Sequence, residues 1–234
     1  MADKNTLYVV GTPIGNLGDF SPRAAQTLND VDFIAAEDTR VTLKLLNHLG
    51  IKKPMVSYFE HNKAQRTSEI CQRILNGESC AIVSDAGMPC ISDPGEDLVR
   101  ECGNLGIKTV VVPGPSALIS ALCVSGLATG RFTFEGFISV NKKSRKEHLE
   151  SLLNEKRTMI FYEAPHKLAN TLKDLYEYFG ERKLTIVREI TKIHEKVIRT
   201  NTKTAYESIA ENPLKGEIVL VLEGKAEEAK EDMT

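Results

Sequence analysis

The chain has 234 residues, 41% of them hydrophobic, and a formal net charge of −2. That size suits one large α/β unit or two modest ones, and the near-neutral charge excludes a global basic field, so any nucleic-acid contact must rest on a local patch. Five cysteines (Cys71, Cys80, Cys90, Cys102, Cys123) without a C-x-x-C pair or nearby histidines, no signal-peptide pattern, and no run near the ~20 apolar residues of a membrane span lead us to expect a reduced, cytoplasmic protein with buried free thiols and no metal.

The first strand is expected at 7–10, an apolar run without the alternation of a half-exposed sheet. It empties into Gly11-Thr12-Pro13-Ile14-Gly15-Asn16-Leu17-Gly18-Asp19. No Gly-Lys-Ser/Thr follows, and the glycine spacing is not G-x-G-x-x-G, so a phosphate cradle is disfavoured. The loop is either a rigid wall beside a ligand or a plain turn. A second strand at 33–36 leads to Glu37-Asp38-Thr39-Arg40, where Asp38 or Thr39 either caps a helix or faces a site. The helix that follows carries Val41, Leu45 and Leu49 on one face and is closed by Gly50. His61 and Asn62 end the segment Ser57-Tyr58-Phe59-Glu60-His61-Asn62, and a lone histidine there has surface or structural roles open to it as well as catalysis. Another helix places Ile70, Cys71, Ile74 and Leu75 together before Gly77.

A strand at 81–83 then runs into Ser84-Asp85-Ala86-Gly87-Met88-Pro89-Cys90-Ile91-Ser92-Asp93-Pro94-Gly95. This is the densest run of Gly, Pro, Ser and Asp in the chain, and it is longer than the about 2–6 residues that a strand-to-helix connection needs. A strand at 109–112 ends at Pro113-Gly114-Pro115-Ser116-Ala117, the start of an apolar helix. Three such loops after parallel strands converge on one sheet edge, which points to a ligand cleft.

The pattern loosens over 125–131, and the domains are placed at 1–125 and 126–224, with a charged tail at 225–234. Asn141-Lys142-Lys143-Ser144-Arg145-Lys146 is the strongest basic patch, either a solvated helix start or a handle for a phosphate backbone. Strands follow at 158–162, 184–187 and 217–222, and Leu168, Leu172, Leu175 and Phe179 mark a helix between the first two. The mixed charges of 187–195 include Lys192.

In chain order, the loops at 11–19, 36–40, 57–62, 84–95 and 113–117, with Phe161-Tyr162-Glu163-Ala164-Pro165-His166 and Arg188-Glu189-Ile190-Thr191-Lys192, resemble the small-subunit rRNA methyltransferases of the tetrapyrrole methylase superfamily. The match runs from Leu7 to Gly224. The resemblance implies two α/β domains of class III methyltransferase type, S-adenosylmethionine in the cleft between them, a homodimer, and 2′-O-methylation of a cytidine in the decoding region of 16S rRNA. It places cofactor contacts at Pro13, Asp85, Gly87, Met88, Pro89, Ile91, Ser92, Ser116, Ala117, Phe161, Tyr162, Glu217 and Ile218. Met88 stands where many relatives have Thr. Longer members carry a further small C-terminal domain.

On this reading Glu37, Asp38, Arg40, His61, Asn62 and Lys192 line the acceptor side, with a carboxylate or His61 as base and Arg40 or Lys192 as phosphate anchors. A tetrapyrrole or modified-protein methylase is the alternative enzyme. A non-catalytic RNA- or nucleotide-binding protein is the alternative of another class.

Overall fold

The computed structural model describes residues 2–211 and 213–226, so residues 227–234 of the charged tail lie outside the described residues. The chain divides between Ser116 and Ala117 into two compact units.

In the first unit, β1 (Thr6–Val10), β2 (Phe33–Ala36), β3 (Met55–Ser57), β4 (Cys80–Val83) and β5 (Lys108–Val112) form a parallel sheet of order β3-β2-β4-β1-β5. Helices α1 (Pro22–Asp30), α2 (Thr39–His48), α3 (Lys63–Leu75) and α4 (Glu96–Asn104) connect the strands. Successive residues of β1 point to opposite faces. Leu7 and Val9 pack with Ile70, Ile74 and Leu98 of α3 and α4, while Tyr8 and Val10 pack with Ala24, Leu28 and Leu46 of α1 and α2. A sheet buried on both faces needs continuous apolar strands, which is why β1, β2 and β4 read so plainly in the sequence.

The chain leaves β1 toward the β2 side and leaves β4 toward the β5 side. These adjacent strands therefore form the topological switch point, beyond whose carboxyl ends ligands bind in open α/β sheets.

Two expectations about helices fare differently. Gly50 and Gly77 do follow α2 and α3 with left-handed backbone (φ 69° and 102°). The α2 stripe, however, is offset: Thr42 and Leu46 are buried, Leu45 and Leu49 are half-buried, and Val41 is 37% exposed. Apolar side chains on α2 face two ways, and spacing alone could not say which face meets the sheet. Leu75 of the other helix is likewise exposed, while Ile70, Cys71 and Ile74 are buried.

In the second unit, β6 (Phe132–Phe137), β7 (Thr158–Glu163), β8 (Lys183–Arg188), β9 (Lys196–Asn201) and β10 (Ile218–Leu222) form a sheet of order β6-β7-β10-β8-β9. Only β6 and β7 are parallel; the other pairs are antiparallel. One face carries α5 (Ala117–Ser125), whose Leu118, Ala121 and Leu122 pack on Ile160, Val187, Val219 and Val221. That packing is why the units part before α5, whereas the loosened stretch that suggested 125/126 follows it. On the other face lie α6 (Lys142–Ser151), α7 (Leu168–Phe179) and α8 (Thr202–Ile209). Leu168, Leu172, Leu175 and Phe179 are all buried there.

Cys71, Cys80 and Cys102 are buried free thiols, as expected, whereas Cys90 is half-buried and Cys123 exposed. Among the described residues no helix is long and apolar enough to cross a membrane.

Candidate active site

Three strand exits of the first unit meet in backbone contact. Thr12 N–H donates to Gly87 O at 2.9 Å and Gly87 N–H donates to Thr12 O at 3.2 Å, an antiparallel bridge that ties the β1 exit to the β4 exit. Gly11 N–H donates to Val112 O at 3.0 Å, which brings in the end of β5. A Cβ on Gly11 would lie 2.7 Å from Gly114 Cα and 2.7 Å from Met88 Sδ, so only glycine admits this approach. Met88 fills the junction and accepts from Gly114 N–H at 3.3 Å. In the loop after β4, Cys90 (φ 73°) and Ser92 (φ 62°) hold left-handed backbone that side chains other than Gly and Asn rarely adopt. Such concentrated backbone strain is a common mark of ligand sites.

Around this junction stand four carboxylates. Asp38 N–H donates to Asp85 Oδ1 at 3.1 Å and Asp85 N–H donates to Glu37 Oε2 at 3.3 Å, which laces the β2 exit to the β4 exit. Burial raises Glu37, against the backbone bond from Asp85. Burial, with the Glu37 charge behind it, pushes Asp93 from an ordinary 3.8 up to about 6. Asp85 is raised too, by partial burial first and then by the Asp38 charge, against the backbone bond from Asp38. Asp38 goes the other way: the Arg40 guanidinium, 2.6 Å away, holds it down at about 2. Ser84 Oγ is buried and makes no hydrogen bond of acceptable geometry, yet it lies close enough to Asp93 to oppose that rise.

A cavity of about 290 Å³ opens beside the junction, between the β1 exit (Thr12, Pro13, Leu17), α2 (Val41, Lys44, Leu45, His48) and the β4 exit (Ser84, Asp85). Val41 and Leu45, expected to face the core, line this cavity instead.

Other expected residues fall into place around the same sheet edge. Asn62 accepts from Phe59 N–H at 2.9 Å and donates to Ser57 O at 3.1 Å, so its amide holds the turn after β3. His61 is exposed, edge-on to Phe59 with ring centroids 6.3 Å apart. Pro89 is buried, while Ile91 and Ser92 are exposed. Asp93 lies inside the loop motif; its burial depends on the fold around Glu37 and Ser84, and no local spacing signals that.

In the second unit, pairing of β7 with β10 sets Tyr162 opposite Val219 and Glu163 opposite Ile218. Phe161 lies wholly in the core, paired on both sides by β6 and β10, and Tyr162 meets Phe134 edge-on at 4.9 Å. Lys192 Nζ sits 3.1 Å from both Glu189 and Glu217 carboxylates. The basic patch is largely compensated: Arg145 pairs with Asp174, while Lys143 and Lys146 lie 3.9 and 3.6 Å from Glu147 and Glu150 one turn on.

The site fits a donor that carries no phosphate. A bare glycine and proline junction and a girdle of carboxylates suit an apolar-bodied cation, and no group of metal-ligating side chains occurs among the described residues. Residues 6–206 match the family model of the tetrapyrrole (corrin/porphyrin) methylases, and the chain belongs to that family. It is a class III, S-adenosylmethionine-dependent methyltransferase by fold. Within that class, its relatives include a ribosomal RNA small subunit methyltransferase I of Synechocystis sp., 52% identical over 95% of this chain and 80% of that protein. Another, of Thermotoga maritima, is 48% identical over 94% of this chain and 98% of that protein. A solved uroporphyrin-III C-methyltransferase from Thermus thermophilus, complexed with S-adenosylhomocysteine, has a TM-score of 0.64 at 16% identity, covering 93% of this chain and 97% of that one. At that identity the likeness speaks for the fold.

Proposed function

We propose that this protein transfers a methyl group from S-adenosylmethionine to the ribose 2′-hydroxyl of a cytidine in the decoding region of 16S rRNA, acting as a cytoplasmic homodimer. The observation that carries the reading is near-full-length identity of 52% and 48% to proteins named for small-subunit rRNA methylation, joined to a strand-exit junction of the right chemistry.

Pro13, Asp85 and the loop of Gly87, Met88, Pro89, Ile91 and Ser92, with Ser116 and Ala117, are proposed to hold the donor. Phe161, Tyr162, Glu217 and Ile218 are proposed as further contacts. When bound, S-adenosylmethionine supplies an electrophilic methyl whose C–S bond breaks as the new O–C bond forms. Alignment of donor and acceptor is worth about 7–11 kcal/mol in such displacements.

A ribose hydroxyl must also lose its proton. Asp93, at about 6, is the proposed acceptor of that proton, since a base works best with a pKa close to the working pH. Glu37, also raised, keeps Asp93 proton-hungry. Asp38, held down by Arg40, is a weaker base and is proposed to fix the start of α2. Arg40, exposed beside it, is the proposed phosphate anchor, with His61 near the RNA path. Asn62 and Lys192 are proposed to set their turns.

The test is a labelled-methyl assay on small subunits from cells lacking the protein, with mass mapping of the rRNA nucleosides. One ribose methyl should be restored in the decoding region. Transfer to a porphyrin-like acceptor and not to RNA would defeat the proposal.

A further inference from the structure

The cavity beside the junction shares Pro13 and Asp85 with the proposed donor contacts, and α2 supplies the rest of its apolar wall. Its walls are Pro13, Leu17, Val41 and Leu45, apolar groups that α2 and the β1 exit turn away from the core. At about 290 Å³ it lies at the lower limit, about 300 Å³, of small-molecule pockets, so it holds one ring and not a whole cofactor. Its polar lining is Thr12, Thr42, Lys44, His48, Ser84 and Asp85. Ser84 is 2% exposed, and its hydroxyl, able both to donate and to accept, stands near the Asp93 carboxyl without a well-aligned hydrogen bond. Buried polar groups are almost always well paired, so a cavity-lining hydroxyl without an aligned bond is open to a ligand atom. Lys44, exposed on the α2 side of the cavity, has no ion pair among the described residues, and His48 stands one turn further on.

Apolar walls, the Ser84 hydroxyl without an aligned bond, and a cation alongside with no ion pair among the described residues together suit an unstacked nucleobase with its phosphodiester outside. Single-stranded RNA is read in this way, by bases splayed out into pockets and hydrogen-bonded at their edges. We infer that this cavity receives the base of the nucleotide whose ribose is methylated, with Ser84 Oγ bonded to the base edge and Lys44 beside its phosphate. The inference rests on the rRNA reading of the preceding section. The choice of nucleotide follows from position: Ser84 lines the cavity on one side and neighbours Asp93 on the other. A base at Ser84 thus carries its own sugar to the carboxylates.

Two variants test this, with methyl transfer onto undermethylated small subunits as the assay and S-adenosylmethionine affinity measured by calorimetry. Val41→Trp fills the cavity and should lower kcat/KM for subunits at least tenfold, with donor affinity within twofold of wild type. Ser84→Ala removes the buried hydroxyl. It should leave the thermal midpoint unchanged or higher, yet lower kcat/KM about fivefold and narrow the preference for subunits with cytidine over subunits with uridine at the target position. Should Val41→Trp fail to fold, Ser84→Ala decides alone. Wild-type kinetics and an unchanged base preference in Ser84→Ala overturn the inference. So does a collapse of donor affinity in either variant, which would give the cavity to the methyl donor. If the wild-type protein methylates no small subunit, the functional reading itself falls and this inference with it, a result visible before any variant is made.

Discussion

A carboxylate that titrates near pH 6 is expensive to keep, and Asp93 shows the expense. Its pKa is above the ordinary 3.8, so the folded state holds its proton more tightly than the unfolded chain does. The sign follows: the destabilisation is absent below about pH 3.8, grows as pH climbs to about 6, and is complete above it. Asp93→Asn should therefore stabilise the fold at pH 8 by about 1 kcal/mol, after discounting the full shift for partial exposure, and the gain should vanish in denaturant titrations at pH 3.5. The same group must be deprotonated to accept a proton, so single-turnover methyl transfer should rise through about pH 6 and level off. In Asp93→Asn the rate should fall at least a hundredfold and lose that rise. A variant that keeps the wild-type rate would return the role of base to Glu37. Gly11 works by what it lacks. In Gly11→Ala the new methyl would meet the Gly114 backbone at 2.7 Å, which cannot swing aside as a side chain can, so about 1–3 kcal/mol of stability and much of the donor affinity should go together, read by thermal melts and calorimetry.

At the scale of elements, legibility follows burial. The first-unit strands β1, β2 and β4, and β10 of the second, are buried at every position, so each reads as an unbroken apolar run. Three strands escaped the reading. Met55–Ser57 has only three residues, all half-buried; Phe132–Phe137 is broken by a register shift between Phe134 and Gly136; and Lys196–Asn201 is an edge strand rich in polar residues. The strand exits were legible for another reason, because glycine and proline declare backbone demands locally. Asp93 and Ser84 were not, since their character comes from neighbours far away in sequence. Helix α2 joins both cases, with one apolar face on the sheet and another on the cavity. Leu46→Ala, in the fully packed face, should cost about 2–5 kcal/mol in chemical denaturation. Val41→Ala, on the cavity side, should stay within about 0.5 kcal/mol. Equal losses from the two would mean that the stripe read from spacing, not the face seen in the structure, carries the packing.

For the whole molecule, a net charge of −2 leaves RNA attraction to individual uncompensated cations. The patch that looked most promising in the sequence is mostly neutralised on folding: Arg145 is taken by Asp174 and held to Thr171 Oγ1 at 3.0 Å, and Lys143 and Lys146 lie beside acidic residues one turn away. The exposed lysine pairs add little to stability, yet all three offset the local field an approaching phosphate would feel. Arg40 keeps its partner Asp38 but is 87% exposed, and Lys44 has no ion pair among the described residues. Counterion release makes the logarithm of affinity fall with the logarithm of salt at a slope of about −0.7 per neutralised phosphate on a single strand. With two or three such contacts the slope for RNA binding should be shallow, about −2. Lys44→Ala should make it shallower by about 0.7, whereas Lys143→Ala with Lys146→Ala should shift it by less than half that. A salt titration of RNA affinity from about 50 to 300 mM separates the cases. A steep slope that flattens only when the α6 lysines are removed would place the RNA on that helix, and the carboxylate-lined junction would then need another explanation.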